Sequence, residues 1–466
     1  MQRLTGMDAT FLYMETPTAP MHVAGTYVYD PSTTPGFDYD TIRDEIERRL
    51  HLLPPYRRRL VEIPFQLHHP LWIEDPDFDL DYHLHRIAVP APGGQKELNE
   101  LAADIHSRPL DRTRPLWEFW IVEGLEDGHV AVVAKTHHCA IDGASGVDIT
   151  VNLLDLEPEP QEIAPPEKPW APDRIPSDPE LVGWALSSLA RQPISAIKAV
   201  RRTVEAGLNI RSRNRKPDAK APPAPFSAPR TSINEAITAR RTFGTADISL
   251  DDIKTIRKGL GGTVNDVILA LCAGTLRNYF DRQGEEPEKA LVAMCPISIR
   301  TEDQKDTMGN QVSSMLVSLA TDIDDPVERL RTISAGTGNA KDQAGAIGAD
   351  TLANWAEFAA PAVAARAARL YSRMKVANRH RPIFNVTISN VPGPQVPIYM
   401  NGAKLVRWYP MGPIADGSGL NITVMSYLGT VHFGLVACAD TVHDVQSIAD
   451  GIHDALKDLL VAAESA

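Results

Sequence analysis

Between residues 156 and 179 the chain reads LEPEPQEIAPPEKPWAPDRIPSDP, and proline at that density forbids both regular helix and central strand. An extended linker is what such a segment can form, so the rest of the chain must fold on one side of it or the other. A second proline cluster at 221–229 closes the interval. At 466 residues the chain exceeds the usual size of one hydrophobic core, and its 43% hydrophobic content is enough for two. The expected organisation is an N-terminal lobe over 1–155, a linker over 156–229 and a C-terminal lobe over 230–466.

Both outer segments alternate helical and strand periodicity. Helices are predicted over 38–50, 98–107, 263–280 and 442–463, and strands over 117–122, 292–299, 312–319, 384–389, 420–427 and 431–438. This is an α/β chain in two halves, with no repeat of solenoid period. Inside the linker, 180–215 reads as a helix interrupted at Pro193, in which apolar residues alternate with Arg201, Arg202, Arg211, Arg213 and other basic residues. A basic amphipathic helix lying on anionic lipid fits that pattern, and so does a solvated helix packed on the protein.

The chemistry concentrates in HVAVVAKTHHCAIDGASG, residues 129–146. Val130 to Ala134 form an uncharged, Val-rich run of the length of a buried strand, and Asp142-Gly143 with Gly146 then marks a turn. Successive strand side chains point to opposite faces, so if both His137 and His138 are extended, one faces a cavity and the other the scaffold. An imidazole can take a proton from a hydroxyl near neutrality, and a positioned general base contributes roughly 100-fold to 10,000-fold. Asp142 is too acidic to be a good base unless buried and is better suited to pairing with a cation. Gly143 permits a backbone conformation or close approach that a side chain would block. Two adjacent histidines alone are more often structural or metal ligands. The wider pattern favours catalysis.

HHCAIDG at 137–143 resembles the HHxxxDG signature of the CoA-dependent acyltransferase superfamily, which includes chloramphenicol acetyltransferases and the condensation domains of peptide synthetases. Pro115-Leu116-Trp117 and Asn265-Asp266 are similar to the PLW and ND motifs of the bacterial wax ester synthase/diacylglycerol acyltransferase family. The opening LTGMDATFLYMETPTAPMHVAG and the late FNVTISNVPGP resemble it too, so the likeness covers essentially the whole chain. The DFGWG element of the chloramphenicol and plant branches is absent. The resemblance implies two similar chloramphenicol-acetyltransferase-like lobes with a tunnel between them and His138 at its middle. It also implies transfer of a long-chain acyl group from acyl-CoA to diacylglycerol or a long-chain alcohol, without a covalent enzyme intermediate or resident cofactor. Of the two acceptors diacylglycerol is preferred, on the overall likeness to actinobacterial members. A condensation-like enzyme with a polar or carrier-bound acceptor and a catalytically silent lipid-droplet protein are the alternatives.

Further residues carry competing readings. Asn265 could donate to the thioester oxyanion or orient the acceptor, but an Asn before an apolar helix commonly caps it, and here Asn265 or Thr263 would be the cap. Asp266 completes the ND motif as substrate-binding or structural support. Trp117 suits core packing or a tunnel wall, because indole offers one donor and no base. Arg300 is the candidate partner of Asp142, by analogy with related condensation enzymes, and surface solvation is its plain alternative. Glu15 could line the site's mouth, or be solvated as exposed glutamates usually are. SNVPGP at 389–394 reads as a rigid turn.

Other functions find little support. A net charge of -13 disfavours nucleic acid as a partner. Cys139, Cys272, Cys295 and Cys438 have neither metal-motif spacing nor disulfide density and read as reduced, buried thiols. Zinc would need a third ligand that the sequence does not place. There is no GxSxG, although Ser145 in DGASG is a lesser candidate nucleophile, no GxxxxGK, and GLGG at 259–262 lacks the last glycine of a dinucleotide site. The start MQRLTGMDATF reaches Asp8 before a signal-peptide core can form, and no run approaches 18 apolar residues. A cytoplasmic protein with peripheral membrane or lipid-droplet contact is therefore expected.

Overall fold

The computed structural model describes residues 1–141, 152–189, 223–298, 312–347 and 361–465. Two six-stranded sheets organise these residues. The first, in spatial order, is β12 (Tyr399–Met400), β13 (Ala403–Met411), β2 (His22–Asp30), β7 (Val130–His137), β6 (Trp117–Glu123) and β5 (Leu84–Ala88). The second runs β10 (Val312–Ser318), β9 (Val292–Ser298), β11 (Val386–Pro392), β14 (Leu420–Tyr427), β15 (Thr430–Cys438) and β8 (Arg241–Ser249). A small sheet of β1 (Gln2–Arg3), β4 (Leu71–Glu74) and β3 (Arg58–Val61) completes the set. Each large sheet mixes parallel and antiparallel pairs, β5 with β6 and β11 with both neighbours being parallel.

The C-terminal segment supplies β12 and β13 to the sheet otherwise built from the N-terminal segment. The two sheets touch backbone to backbone there. A Cβ at Gly434 of β15 would fall 1.8 Å from the Pro410 carbonyl oxygen of β13, so only glycine allows the crossing. A second tie is the helix Gln95–Ser107, which packs on β8 and whose Asn99 Nδ2 donates to Thr245 Oγ1 at 3.1 Å.

Local sequence explains the elements. β7 is buried on both faces, as its continuous apolar run requires. The helix Tyr39–Arg49 starts where the Asp38 side chain accepts from Thr41 N, and Asp38 N donates in return to Thr41 Oγ1 at 3.0 Å. The helix Val264–Gln283 is capped by Thr263, with Asp266 closing a capping box and Gly284 in the left-handed conformation at its end. Of the two predicted caps it is therefore Thr263, and Asn265 is the second residue inside the helix. That helix is the spine of the larger core: Val267, Leu269, Leu271 and Leu276 are fully buried in the cluster that also holds the β14 and β15 side chains, and the helix packs on Val445–Glu464 and Pro326–Ile347.

No single described helix is long and apolar enough to cross a membrane. Of the predicted basic helix, Asp178–Leu189 is described, with Leu181 and Ala185 buried. Arg201, Arg202, Arg211 and Arg213 lie outside the described residues.

Candidate active site

The histidine pair sits at the C-terminal end of β7, and the strand stops between its members. His137 is the last strand residue, paired with His22 of β2, and 138–140 form a turn. The two side chains are thus separated by a change of backbone direction as well as by strand alternation. Three backbone bonds fix the turn: His137 N donates to Leu116 O at 2.9 Å, His138 N to Met21 O at 2.9 Å, and Ala140 N to His137 O at 2.9 Å. The first explains why PLW belongs with the histidines. Leu116 immediately precedes β6, the strand beside β7, and Trp117, its first residue, stands opposite Thr136.

His137 is buried, and both ring nitrogens have assigned neighbours. Its Nδ1 accepts from Cys139 N at 3.1 Å, so the ring proton resides on Nε2, which stands 3.5 Å from Glu15 Oε2. Burial pushes the His137 imidazole below its usual range, against the opposing pull of Glu15. Burial favours the neutral ring, with Cys139 N on one nitrogen and the Glu15 carboxylate 3.5 Å from the other. Glu15 is the residue that ends the helix Gly6–Met14, and its side chain is only 9% exposed, which overturns the solvated reading. Arg112 donates to it through Nε at 2.8 Å and through Nη2, which also donates to Leu12 O at 2.9 Å. Burial alone would raise the Glu15 carboxyl, but His137 and Arg112 outweigh it and hold the group down to about 2.

His138 is half-buried, and its ring lies flat on Phe11, with centroids 3.9 Å apart and planes 4° from parallel. One helix therefore supports both histidines, His138 through Phe11 and His137 through Glu15. Cys139 is buried, and burial together with the nearby Asp8 charge raises its thiol far above the range in which a thiolate forms.

Trp117 is 1% exposed, stacked between Tyr56 and His83, and donates from Nε1 to Tyr56 O at 2.8 Å. It is a core residue. Asp266 is likewise occupied: it accepts from Thr263 N at 2.8 Å, Ser334 Oγ at 3.1 Å and Thr337 Oγ1 at 2.6 Å, tying two helices together. Asn265 lies beside β11, where Asn390 Nδ2 reaches its Oδ1 at 3.5 Å. No hydrogen bond among the described residues links Asn265 to the histidine pair. SNVPGP is not simply a turn, since Ser389 to Pro392 continue β11. Asp142, Gly143, Ser145 and Arg300 lie outside the described residues. Among the described residues no three His, Cys, Asp or Glu side chains come together as metal ligands.

Sequence reasoning missed Arg112. Its signal was slight: an arginine in the DRTRPLW run, a few residues ahead of a strand that must adjoin the histidine strand. It also missed Lys135, fully buried between Glu118 (2.9 Å) and the carbonyls of Ile105 and Arg108, where it pins the loop that carries Arg112.

Comparison with known proteins agrees with this geometry. The wax ester synthase/diacylglycerol acyltransferase catalytic domain matches residues 4–268, and the C-terminal domain of the same family matches 308–460. A Mycobacterium tuberculosis protein provisionally named a diacylglycerol O-acyltransferase is 37% identical over 100% of this chain and 91% of its own length. A second from that species, named likewise, is 35% identical over 100% of this chain and 98% of its own. The solved wax ester synthase/diacylglycerol acyltransferase of Marinobacter aquaeolei superposes with a TM-score of 0.69 at 30% identity, covering 99% of this chain and 100% of that one. The starter condensation domain of rhizomide synthetase, 12% identical with a TM-score of 0.58 over 99% of this chain and 94% of its own, shares the fold.

Proposed function

Because the chain belongs to the wax ester synthase/diacylglycerol acyltransferase family, we propose that it transfers a long-chain acyl group from acyl-CoA to the hydroxyl of diacylglycerol, with long-chain alcohols as further acceptors. The observation that carries the mechanism is the division of labour in the histidine pair. His137 is buried and held between Cys139 N and Glu15, whereas His138 stands on the turn just beyond the strand with its ring braced on Phe11.

In this mechanism His138 takes the acceptor's proton as the alcohol oxygen attacks the thioester carbon. The tetrahedral oxyanion must meet preorganised donors. The C–S bond then breaks, and His138 returns the proton to the CoA sulfur, leaving ester and free thiol. A thioester is already activated, so the chemistry needs no further cofactor. Cys139 is no rival nucleophile, being buried and held as the neutral thiol. Asp142 is assigned the pairing of the motif loop to Arg300, and Gly143 the close approach. Because both acceptors partition into lipid, the proposed place of work is the cytoplasmic face of a membrane or the surface of a lipid droplet.

Labelled palmitoyl-CoA offered diacylglycerol, hexadecanol and water tests the reading. Triacylglycerol should dominate, wax ester follow and free fatty acid come last. His138→Ala should lower turnover at least about 100-fold with acyl-CoA affinity and melting nearly unchanged. Near-normal ester synthesis by a well-folded His138→Ala protein overturns the assignment, and no turnover by the native protein with any acceptor favours a silent binding protein.

A further inference from the structure

The helix Pro361–Arg373 has two apolar faces. Pro361 and Ala365 are buried, and Ala365 belongs to the cluster of Leu12, Tyr13 and Cys139 beside the active site. At about 100° per residue, Val363, Leu370 and Met374 fall on one stripe roughly opposite that buried face. They are 67%, 56% and 46% exposed. Solvated helices carry polar residues there, so a helix that keeps an apolar stripe outward is suited to something less polar than water.

Neighbouring elements extend the stripe. The turn Pro64–Gln66 packs against this helix and against Asp178–Leu189. Its Phe65 is 86% exposed and adopts φ 59, a left-handed conformation costly for an aromatic residue that here turns the ring outward. From the other helix Trp184 is 45% exposed and Leu186 56%.

Charge selects the occupant. Arg366, Arg369 and Arg373 flank the apolar stripe, and residues 361–381 contain six Lys or Arg and no Asp or Glu, in a chain whose net charge is -13. Of these only Arg381 forms an ion pair with a described residue, Glu288. Exposed apolar side chains bordered by cations that have no ion-pair partner among the described residues match an anionic lipid surface.

We propose that Phe65, the outer stripe of Pro361–Arg373 and the exposed side of Asp178–Leu189 form one face that docks on anionic lipid. It rests on the reading that the acceptor is a lipid, and it gives that reading a direction. The helix Pro361–Arg373 lies on Gly6–Met14, whose Phe11 stacks on His138, so the docked surface is one helix layer from the base.

The test is flotation with phosphatidylcholine vesicles, with and without phosphatidylglycerol, of the native protein and two variants, Phe65→Glu with Leu370→Glu, and Arg366→Gln with Arg369→Gln and Arg373→Gln. The native protein should float with the anionic vesicles and be released by salt. The apolar variant should lose at least about tenfold in partitioning. The charge variant should lose up to about fivefold per arginine removed. Both should keep native melting and native turnover of a short, water-soluble alcohol. Partitioning equal to native in both folded variants overturns the proposal, as does a native protein indifferent to phosphatidylglycerol. A changed oligomeric state with unchanged flotation would assign the face to a second copy and overturn it as well. Failure of the acyltransferase reading is separable, because it removes ester formation from every acceptor, the soluble alcohol included.

Discussion

The two six-stranded sheets are built to the same size and filled differently. The C-terminal core is mainly apolar, with Leu269, Leu271, Ile422, Val424, Phe433 and Leu435 packed in one cluster. Part of its buried polar set is paired, Asn385 donating to Asn234 Oδ1 at 2.7 Å and accepting from Val292 N at 2.8 Å, while among the described residues Arg241 Nε, Arg329 Nη1 and His432 Nε2 find no hydrogen bond. The N-terminal sheet instead surrounds β7 with buried ionisable groups, His22, His83, His106, Lys135 and His137. Among the described residues several have ring nitrogens without a hydrogen-bond partner, such as His22 Nδ1, His83 Nε2 and both nitrogens of His106. Burying such groups opposes folding, so a sheet that keeps them is shaped by its chemistry, while its companion supplies stability.

The strongest way to break that contrast is Arg112→Ala. It would leave Glu15 buried beside His137 without its cation, a kind of loss that typically costs about 3 to 5 kcal/mol. Turnover per folded molecule should also fall, by about 100-fold, because the ring that holds the His138 turn is no longer fixed. Glu15→Gln, which keeps the shape, should lower kcat with little change in KM. Thermal melts and single-turnover ester formation read both effects. If Arg112→Ala melts and turns over like the native protein, the Arg112, Glu15 and His137 chain does not hold the site.

In the other lobe the matching change is Asp266→Ala. Losing the return bond of the capping box costs up to about 1 kcal/mol, and the hydrogen bonds from Ser334 and Thr337 bring the expected loss to about 2 to 3 kcal/mol. Turnover of the folded fraction should stay within about twofold of native, since Asp266 is fully engaged in structure. A large fall in kcat without a stability loss would give the ND motif a chemical role and erase the contrast.

Acid should separate the lobes more gently. Burial depresses His22 and His137, and it brings His83 to about 4 and His106 to about 3. Their neutral forms are favoured in the fold, so their contribution is intact above about pH 6.5. Below that the unfolded chain takes up protons that the native one refuses, and up to about 1.4 kcal/mol is lost per histidine per pH unit. Glu15, lowered from 4.5 to about 2, acts later, its contribution being present above about 4.5 and lost on the way down to about 2. Amide exchange followed from neutral pH towards 5 should show protection falling first in Val130–His137 and last in Leu420–Tyr427. Simultaneous loss in both strands would mean that the lobes do not differ in this respect.

What could be read in the sequence divides along physical lines. β7 was legible because an apolar, Val-rich run has few alternatives, and the helix Val264–Gln283 because a capping residue precedes its apolar stretch, although the sequence does not choose between Asn265 and Thr263 as the cap. β13 was not. Pro410 argues against a central strand, yet there β13 has a ladder partner on one side only, Gly25 of β2, and the missing N–H goes unneeded. In the site, the histidine pair and PLW stood out as motifs, while Glu15 fitted both a residue lining the site's mouth and a solvated one, and Arg112 gave no reading at all. The first is buried only because the second lies beside it, and that pairing joins residues 97 apart in the chain. No local pattern carries such information.

The smallest expected effect on folding, and the sharpest test of the contrast, belongs to Asn265. Thr263 has taken the cap, and Asn265 is left half-buried at the second helical position with one long contact to Asn390. Asn265→Ala should therefore change stability by less than about 0.5 kcal/mol. An amide with so little structural employment next to an engaged aspartate is the residue of the pair that can serve a substrate, and kcat should fall about tenfold at unchanged KM, the magnitude of one lost hydrogen bond. Asn265→Asp, which keeps the shape but removes the donor, should behave like the alanine variant if the amide donates, and like the native protein if only its oxygen is used. The C-terminal lobe would then contribute one group to the chemistry from a core that is otherwise scaffold. Should Asn265→Ala instead lose stability and keep its turnover, the lobe is scaffold throughout, and the reacting groups come from the N-terminal sheet and the loops around it.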